Sequence, residues 1–181
     1  MEENIYAAVD RYIRERLGQE NEALIHARQS IQQYQLPDAS VSANQGKFLS
    51  VMVKCCGAKR ILELGTFCAY STIWMAQALP ADGKIVSIEA DPLHAAIARE
   101  NIAFAGLSDK IEVRHGDAFE ILEQLEAEKQ HPFDMFFIDA DKPPYAEYML
   151  WTRRLGRVGA LVIADNVIRN AQVLDKSSVD V

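Results

Sequence analysis

The stretch Arg60-Ile61-Leu62-Glu63-Leu64-Gly65-Thr66-Phe67-Cys68-Ala69-Tyr70-Ser71 decides the fold. An apolar run over residues 60–64 ends in Glu63-Leu64-Gly65, and a short loop then enters a segment carrying Ile73, Trp74 and Met75. Strand, loop and helix in that order open a βαβ unit. Four further apolar runs follow, over residues 84–89, 110–115, 134–138 and 159–164, with helical patterns between them. This alternation predicts an α/β fold: a doubly wound, mostly parallel sheet with right-handed crossovers and helices on both faces. The later runs end in Glu89-Ala90-Asp91, Gly116-Asp117, Asp139-Ala140-Asp141-Lys142 and Asp165-Asn166. Sheets of this kind bind ligands in the crevice outside the carboxyl ends of their strands. These chemically unlike polar groups therefore predict a composite site along one sheet edge.

Outward from the core, the second crossover helix is the best marked. Asp91 suits an N-cap, Pro92 the first helical position and Gly106 a left-handed C-cap. Pro80-Ala81-Asp82-Gly83 reads as a turn. Upstream, Ile5, Val9, Ile13 and Leu17 recur every fourth residue, and Leu24, Ala27, Arg28 and Ile31 continue the habit. Two amphipathic helices follow from that spacing. A break at Leu36-Pro37-Asp38-Ala39-Ser40 precedes a third, from about Ala43 to Cys56, with Phe48, Leu49, Met52 and Val53 apolar. A chain of 181 residues suits one domain. Its parts are N-terminal helices over residues 1–57, an α/β core over 58–167 and a tail over 168–181 without a strong strand pattern.

Composition narrows the function classes. With 49% hydrophobic and 25% charged residues the chain matches ordinary soluble proteins. No apolar stretch nears the roughly 20 residues needed to span a bilayer, so no membrane partner is expected. The start Met1-Glu2-Glu3-Asn4 lacks the basic and apolar regions of a secretory signal, which predicts a cytoplasmic protein. Cys55, Cys56 and Cys68 make neither a C-x-x-C pair nor an even set and read as reduced thiols. A net charge of -7 disfavours nucleic acid as a partner. Arg153, Arg154 and Arg157 read as a solvated helix face.

The loop after the first strand is informative for what it lacks. A dinucleotide site wants G-x-G-x-x-G, but Phe67 and Tyr70 follow Gly65, and no G-K-[ST] closes a P-loop. A nucleoside without phosphates at this place remains, which points to S-adenosylmethionine (SAM). Glu89 is placed to accept both ribose hydroxyls, or else only supports a helix N-terminus. Asp117 meets the adenine edge or caps the helix starting at Ala118. Asp139, Asp165 and Asn166, at the ends of neighbouring strands, offer oxygen ligands for Mg²⁺, Mn²⁺ or Ca²⁺ rather than zinc, or else serve as caps and turn formers. His26, His94, His115 and His131 have no metal spacing.

Several pieces together resemble one family. They are Val41-Ser42 through Gln45-Gly46-Lys47, Ile61-Leu62-Glu63-Leu64-Gly65-Thr66 with Tyr70-Ser71, Ser87-Ile88-Glu89-Ala90-Asp91-Pro92, Ile138-Asp139-Ala140-Asp141-Lys142 and Ala164-Asp165-Asn166-Val167. On these, residues 36–167 resemble the cation-dependent O-methyltransferases of the catechol and caffeoyl-CoA type, SAM-dependent enzymes with a Rossmann-like core. The resemblance implies that Gly65, Tyr70, Ser71, Glu89, Asp117 and Ala118 hold the cofactor, with Val41 near its methionine end and Glu63 beneath the pocket. It further implies that Asp139, Asp165 and Asn166 ligate the metal, with Asp139 also beside the cofactor and, with Lys142, one of the two catalytic residues. Lys142 would be the general base, and Tyr145 an aromatic near the cofactor. Lys142 as a surface lysine after a turn is the alternative.

The implied reaction methylates one hydroxyl of a small catechol-like or caffeoyl-like aromatic, in a homodimer with N-terminal helices at the interface or over the acceptor. A hydroxylated tRNA base as acceptor, and a cofactor-binding but inactive protein, are the competing readings. Two departures matter. Ala69 stands where the family usually has glycine, so a methyl is expected to face the cofactor. The family also continues past residue 181 with an antiparallel hairpin, which is expected to be missing from this sheet edge.

Overall fold

A computed structural model describes residues 5–130, 132–168 and 174. Its elements run α1 (Ile5–Leu17), α2 (Glu22–Gln33), α3 (Ala43–Cys55), β1 (Arg60–Leu64), α4 (Tyr70–Ala78), β2 (Lys84–Glu89), α5 (Pro92–Phe104), β3 (Ile111–His115), α6 (Ala118–Ala127), β4 (Phe133–Ile138), α7 (Tyr145–Leu155) and β5 (Gly156–Ala164). The five strands form one sheet in the order β3-β2-β1-β4-β5, and every neighbouring pair is parallel. This is the doubly wound Rossmann-like architecture expected from the alternation of elements. Residues 169–173 and 175–181, most of the tail, lie outside the described residues, as does His131.

Strand periodicity splits the core into two layers. Alternate side chains leave opposite sheet faces. Ile61, Ile85, Met135 and Phe137 therefore pack with Leu49 and Val53 of α3, Ile73 and Met75 of α4, and Ala98 and Ile102 of α5. Leu62, Leu64, Val86, Ile88, Phe136 and Ile138 pack on the other face with Ile121, Leu122 and Leu125 of α6 and Tyr148, Trp151 and Leu155 of α7. Each fully buried side chain of this size contributes about 1.5–3 kcal/mol. The two layers hold the strand ends at a fixed edge, and that edge carries the site.

Local signals place the helices that frame it. Asp91 caps α5, accepting from Leu93 N at 2.7 Å and His94 N at 3.0 Å, with Pro92 in the first turn. Gly106 follows at φ +66°, the left-handed position foreseen for it. Ser42 and Gln45 form a capping box on α3, which fixes the chain at Val41. Gly46 lets α3 press on α4: a Cβ there would sit 2.2 Å from the Trp74 ring. The first amphipathic helix forms as its spacing predicts, yet none of its residues is buried; Ile5 is 71% exposed and Leu17 63%.

Candidate functional site

A cleft of about 440 Å³ opens along the carboxyl edge of the sheet, in the size range of small-ligand sites. Its floor comes from Leu64, Gly65, Thr66 and Phe67 after β1, Ile88, Glu89 and Ala90 after β2, and Asp139, Ala140 and Asp141 after β4. Ala39, Ser40 and Val41 ahead of α3 close one side. Tyr70, Ser71, His94, Asp117, Ala118, Tyr148 and Asn166 complete the lining. The cleft spans β1 and β4, from which the strand order runs outward in opposite directions, the usual place for ligands in such sheets.

The loop after β1 is tightly wound. Gly65 has φ +94°, Phe67 +48° and Ala69 +62°. At Gly65 a Cβ would lie 2.1 Å from the Asp139 carbonyl oxygen, so only glycine lets the two loops touch. Glu89 organises the same loop: Oε2 accepts from Thr66 N at 3.1 Å and Phe67 N at 2.7 Å, and Oε1 from Asp91 N at 2.9 Å. Its backbone-supporting role is thus realised, chiefly towards the β1 loop. A carboxylate has about four lone-pair sites, so capacity remains on the face that lines the cleft. Ala69 corrects an expectation: its side chain is fully buried in the core and is not among the cleft's lining residues. What the residue carries instead is a left-handed backbone.

Glu63 lies beneath the cleft, fully buried. Three hydroxyls surround its carboxyl: Ser71 Oγ at 2.6 Å, Thr72 Oγ1 at 2.5 Å and Ser87 Oγ at 2.5 Å. Burial pushes the carboxyl from 4.5 up to about 7, against the pull of those hydroxyls. A raised carboxyl pKa means the folded chain holds this proton more tightly than the unfolded one. The stabilisation is therefore complete below pH about 4.5 and is lost as pH rises through about 7. Between pH 5 and 8 the wild-type chain is expected to lose about 3 kcal/mol through this group. Glu63→Gln should flatten that slope in urea unfolding; parallel slopes for the two proteins would refute the assignment.

On the other side of Gly65 the ends of β4 and β5 bring Asp139, Lys142 and Asp165 together. Lys142 Nζ donates to Asp139 Oδ1 at 3.2 Å, to the Tyr145 hydroxyl at 2.7 Å and, most weakly, to the Asp165 carbonyl at 3.5 Å. Burial holds the Asp139 carboxyl above its ordinary range, with the Lys142 ammonium opposing and the Asp165 charge adding to it. Asp165 Oδ1 accepts from Asn166 N at 2.7 Å, and Asn166 has φ +55°. Among the described residues no trio of histidine, cysteine, aspartate or glutamate forms a metal cluster. The candidate set is two carboxylates and an amide, all oxygen donors.

Most of the expected site residues therefore converge. Val41, Gly65, Tyr70, Ser71, Glu89, Asp117, Ala118, Asp139 and Asn166 line the cleft. Asp117 also caps α6, with Phe119 N and Glu120 N both on Oδ1, at 2.9 and 3.1 Å, so both of its sequence readings are compatible. Lys142, Asp165 and Tyr145 are not among the cleft's lining residues; they join Asp139 through the contacts of Lys142 Nζ. Tyr148, one helical turn on from Tyr145, lines it instead and stacks on Phe119 at 5.2 Å. His94 and Phe67 were also missed; their rings meet edge-on at 4.9 Å on the cleft wall. The first-turn position of His94 and the three-residue spacing of the two tyrosines were the available signals.

A parallel sheet in this order with such a cleft at its carboxyl edge is a Rossmann-like fold, and it matches that of solved O-methyltransferases. The family described as O-methyltransferase matches residues 14–180. The chain belongs to that family and is an O-methyltransferase. It is similar to a catechol O-methyltransferase of Niastella koreensis, with 52% identity over 180 residues, covering 99% of this chain and 81% of the relative. An O-methyltransferase of Bacillus cereus in complex with SAH superimposes with TM-score 0.92 at 45% identity, covering 96% of this chain and 79% of that one. An O-methyltransferase of Streptomyces achromogenes, involved in tomaymycin synthesis and in complex with SAM, gives TM-score 0.94 at 43% identity, covering 99% and 81%. No helix among the described residues is long and apolar enough to cross a membrane.

Proposed function

We propose that this enzyme moves a methyl group from SAM to one hydroxyl of a small catechol-like or caffeoyl-like aromatic, with help from a divalent cation. The observation that carries the reading is Lys142 Nζ at 3.2 Å from the carboxylate of Asp139, a residue that lines the cleft. The catechol O-methyltransferase name of the relative and the SAM complex of a structural neighbour support it.

SAM, when bound, supplies a methyl group on a positively charged sulfur. Glu89 holds the ribose hydroxyls, Asp117 and Ala118 meet the adenine end, and Val41, Tyr70 and Ser71 enclose the methionine end. Asp139, Asp165 and Asn166, two carboxylates and an amide, offer oxygen donors only, which suits a hard cation such as Mg²⁺, Mn²⁺ or Ca²⁺. Such a cation, when bound, stabilises a phenolate and orients it. Lys142 Nζ would take the acceptor's hydroxyl proton, which leaves that oxygen as the nucleophile for the methyl group that SAM would supply. The exposed apolar stripe of α1 supports a homodimer built through that helix.

Calorimetric titration with SAM, followed by methyl transfer to catechol with Mg²⁺ or with EDTA, tests the reading. Binding in both conditions and transfer only with Mg²⁺ is the expected result. Undiminished transfer in EDTA removes the cation from the proposal, and no SAM binding removes the whole of it.

A further inference from the structure

We infer that Tyr145 is a positioning residue that holds the Lys142 amine for proton transfer. The inference rests on the base assignment proposed above. Tyr145 does not line the cleft. Its hydroxyl lies 3.1 Å from the Ile138 carbonyl, the last residue of β4, and 3.1 Å from the Asp165 carbonyl just beyond β5. The single phenol proton is thus directed at the ends of two adjacent strands, which pins the oxygen between them. A phenol has one proton and two lone pairs, so the oxygen meets Nζ as an acceptor, at 2.7 Å.

The backbone prepares this contact. Tyr145 N donates to the Lys142 carbonyl at 3.1 Å, closing a turn between the two residues at the start of α7. With the phenol oxygen in place, Nζ has three acceptors: Tyr145 Oη at 2.7 Å, Asp139 Oδ1 at 3.2 Å and the Asp165 carbonyl at 3.5 Å. The phenol contact is the shortest of them. An amine able to take the acceptor's proton carries two N–H groups and one lone pair; the two shorter contacts, to Tyr145 Oη and Asp139 Oδ1, engage the N–H groups and leave the lone pair for the acceptor's hydroxyl. Without the phenol oxygen a flexible four-carbon stem is tethered only by the two longer contacts.

Tyr145→Phe removes the oxygen and keeps the ring that Nζ approaches at 4.8 Å. It is expected to lower kcat about 10- to 100-fold, the scale of misplacing a reacting group by about 1 Å. The Kd for SAM by calorimetry and the Tm should stay near wild type. In a Lys142→Ala background, followed with a radiolabelled methyl donor, the same substitution should change the rate less than about twofold, because coupled residues are not additive. Equal losses in both backgrounds, wild-type kcat for Tyr145→Phe, or an unmoved Nζ in a crystal structure of that variant would each overturn the inference. Undiminished kcat for Lys142→Ala is a separate result: it sinks the base assignment itself, and the inference with it.

Discussion

Gly65→Ala is expected to melt about 10 °C below the wild type and to bind no SAM. The added Cβ would sit 2.1 Å from the Asp139 carbonyl oxygen and 2.8 Å from its carbonyl carbon, both backbone atoms that no rotamer can move. The φ of +94° adds strain of about 1–3 kcal/mol for a residue with a side chain. Overpacking of this kind costs about 1–3 kcal/mol more, and in a chain of this size each kcal/mol lowers Tm by about 2–4 °C. Gly57→Ala is the control. Its φ is +61°, but a Cβ there meets nothing within 4 Å, so only the left-handed cost of about 1–2 kcal/mol applies. Scanning calorimetry showing equal losses for both variants would mean that the contact between the β1 and β4 loops does not constrain the site.

Glu89→Ala should separate the cofactor half of the cleft from its metal half. The substitution leaves Thr66 N, Phe67 N and Asp91 N without their acceptor. Thr66 is 2% exposed, so water is a poor replacement. At about 1–3 kcal/mol for a buried donor left unmet, the variant is expected to lose about 3 kcal/mol of stability. Its SAM affinity should fall at least about 100-fold, since a hydrogen bond to a charged group is worth about 1.5–3 kcal/mol and the loop loses its anchor as well. Asp165→Ala should bind SAM normally while its turnover no longer responds to divalent ions. Comparable losses of SAM affinity in both variants would undo that division.

The strands and helices were legible because burial in a doubly wound sheet writes itself as short apolar runs separated by caps and turns. The expected ends of β1 and β2 coincide with the observed ones. β5 is the informative exception. It starts at Gly156 rather than near residue 159, because Gly156-Arg157-Val158-Gly159 reads as a loop yet pairs through an irregularity: Phe133 meets Gly156, whereas Met135 meets Leu161. Gly159, at φ +79°, takes up the extra length. Pairing that depends on a partner strand leaves no local pattern.

The same limit divides the site. Acids and glycines at strand ends announce themselves, since strand ends are where their side chains gather. The surroundings of Glu63 do not, because its hydroxyl partners come from α4 and from β2 across the sheet. Nor could local spacing choose between Tyr145 and Tyr148. They lie three residues apart on one helix, and only Tyr148 is among the cleft's lining residues.

The winding of the β1 loop has a consequence for ligand choice. Successive amides turned towards one point by alternating backbone handedness make a nest, the device with which many proteins seize a free anion such as phosphate. Here the nest formed by Thr66 N and Phe67 N is already filled from within, by the carboxylate of Glu89. A phosphate arriving at this loop would find its seat taken by a fixed negative charge. The loop thus has the backbone shape of a phosphate seat, with the seat itself occupied by the chain's own carboxylate.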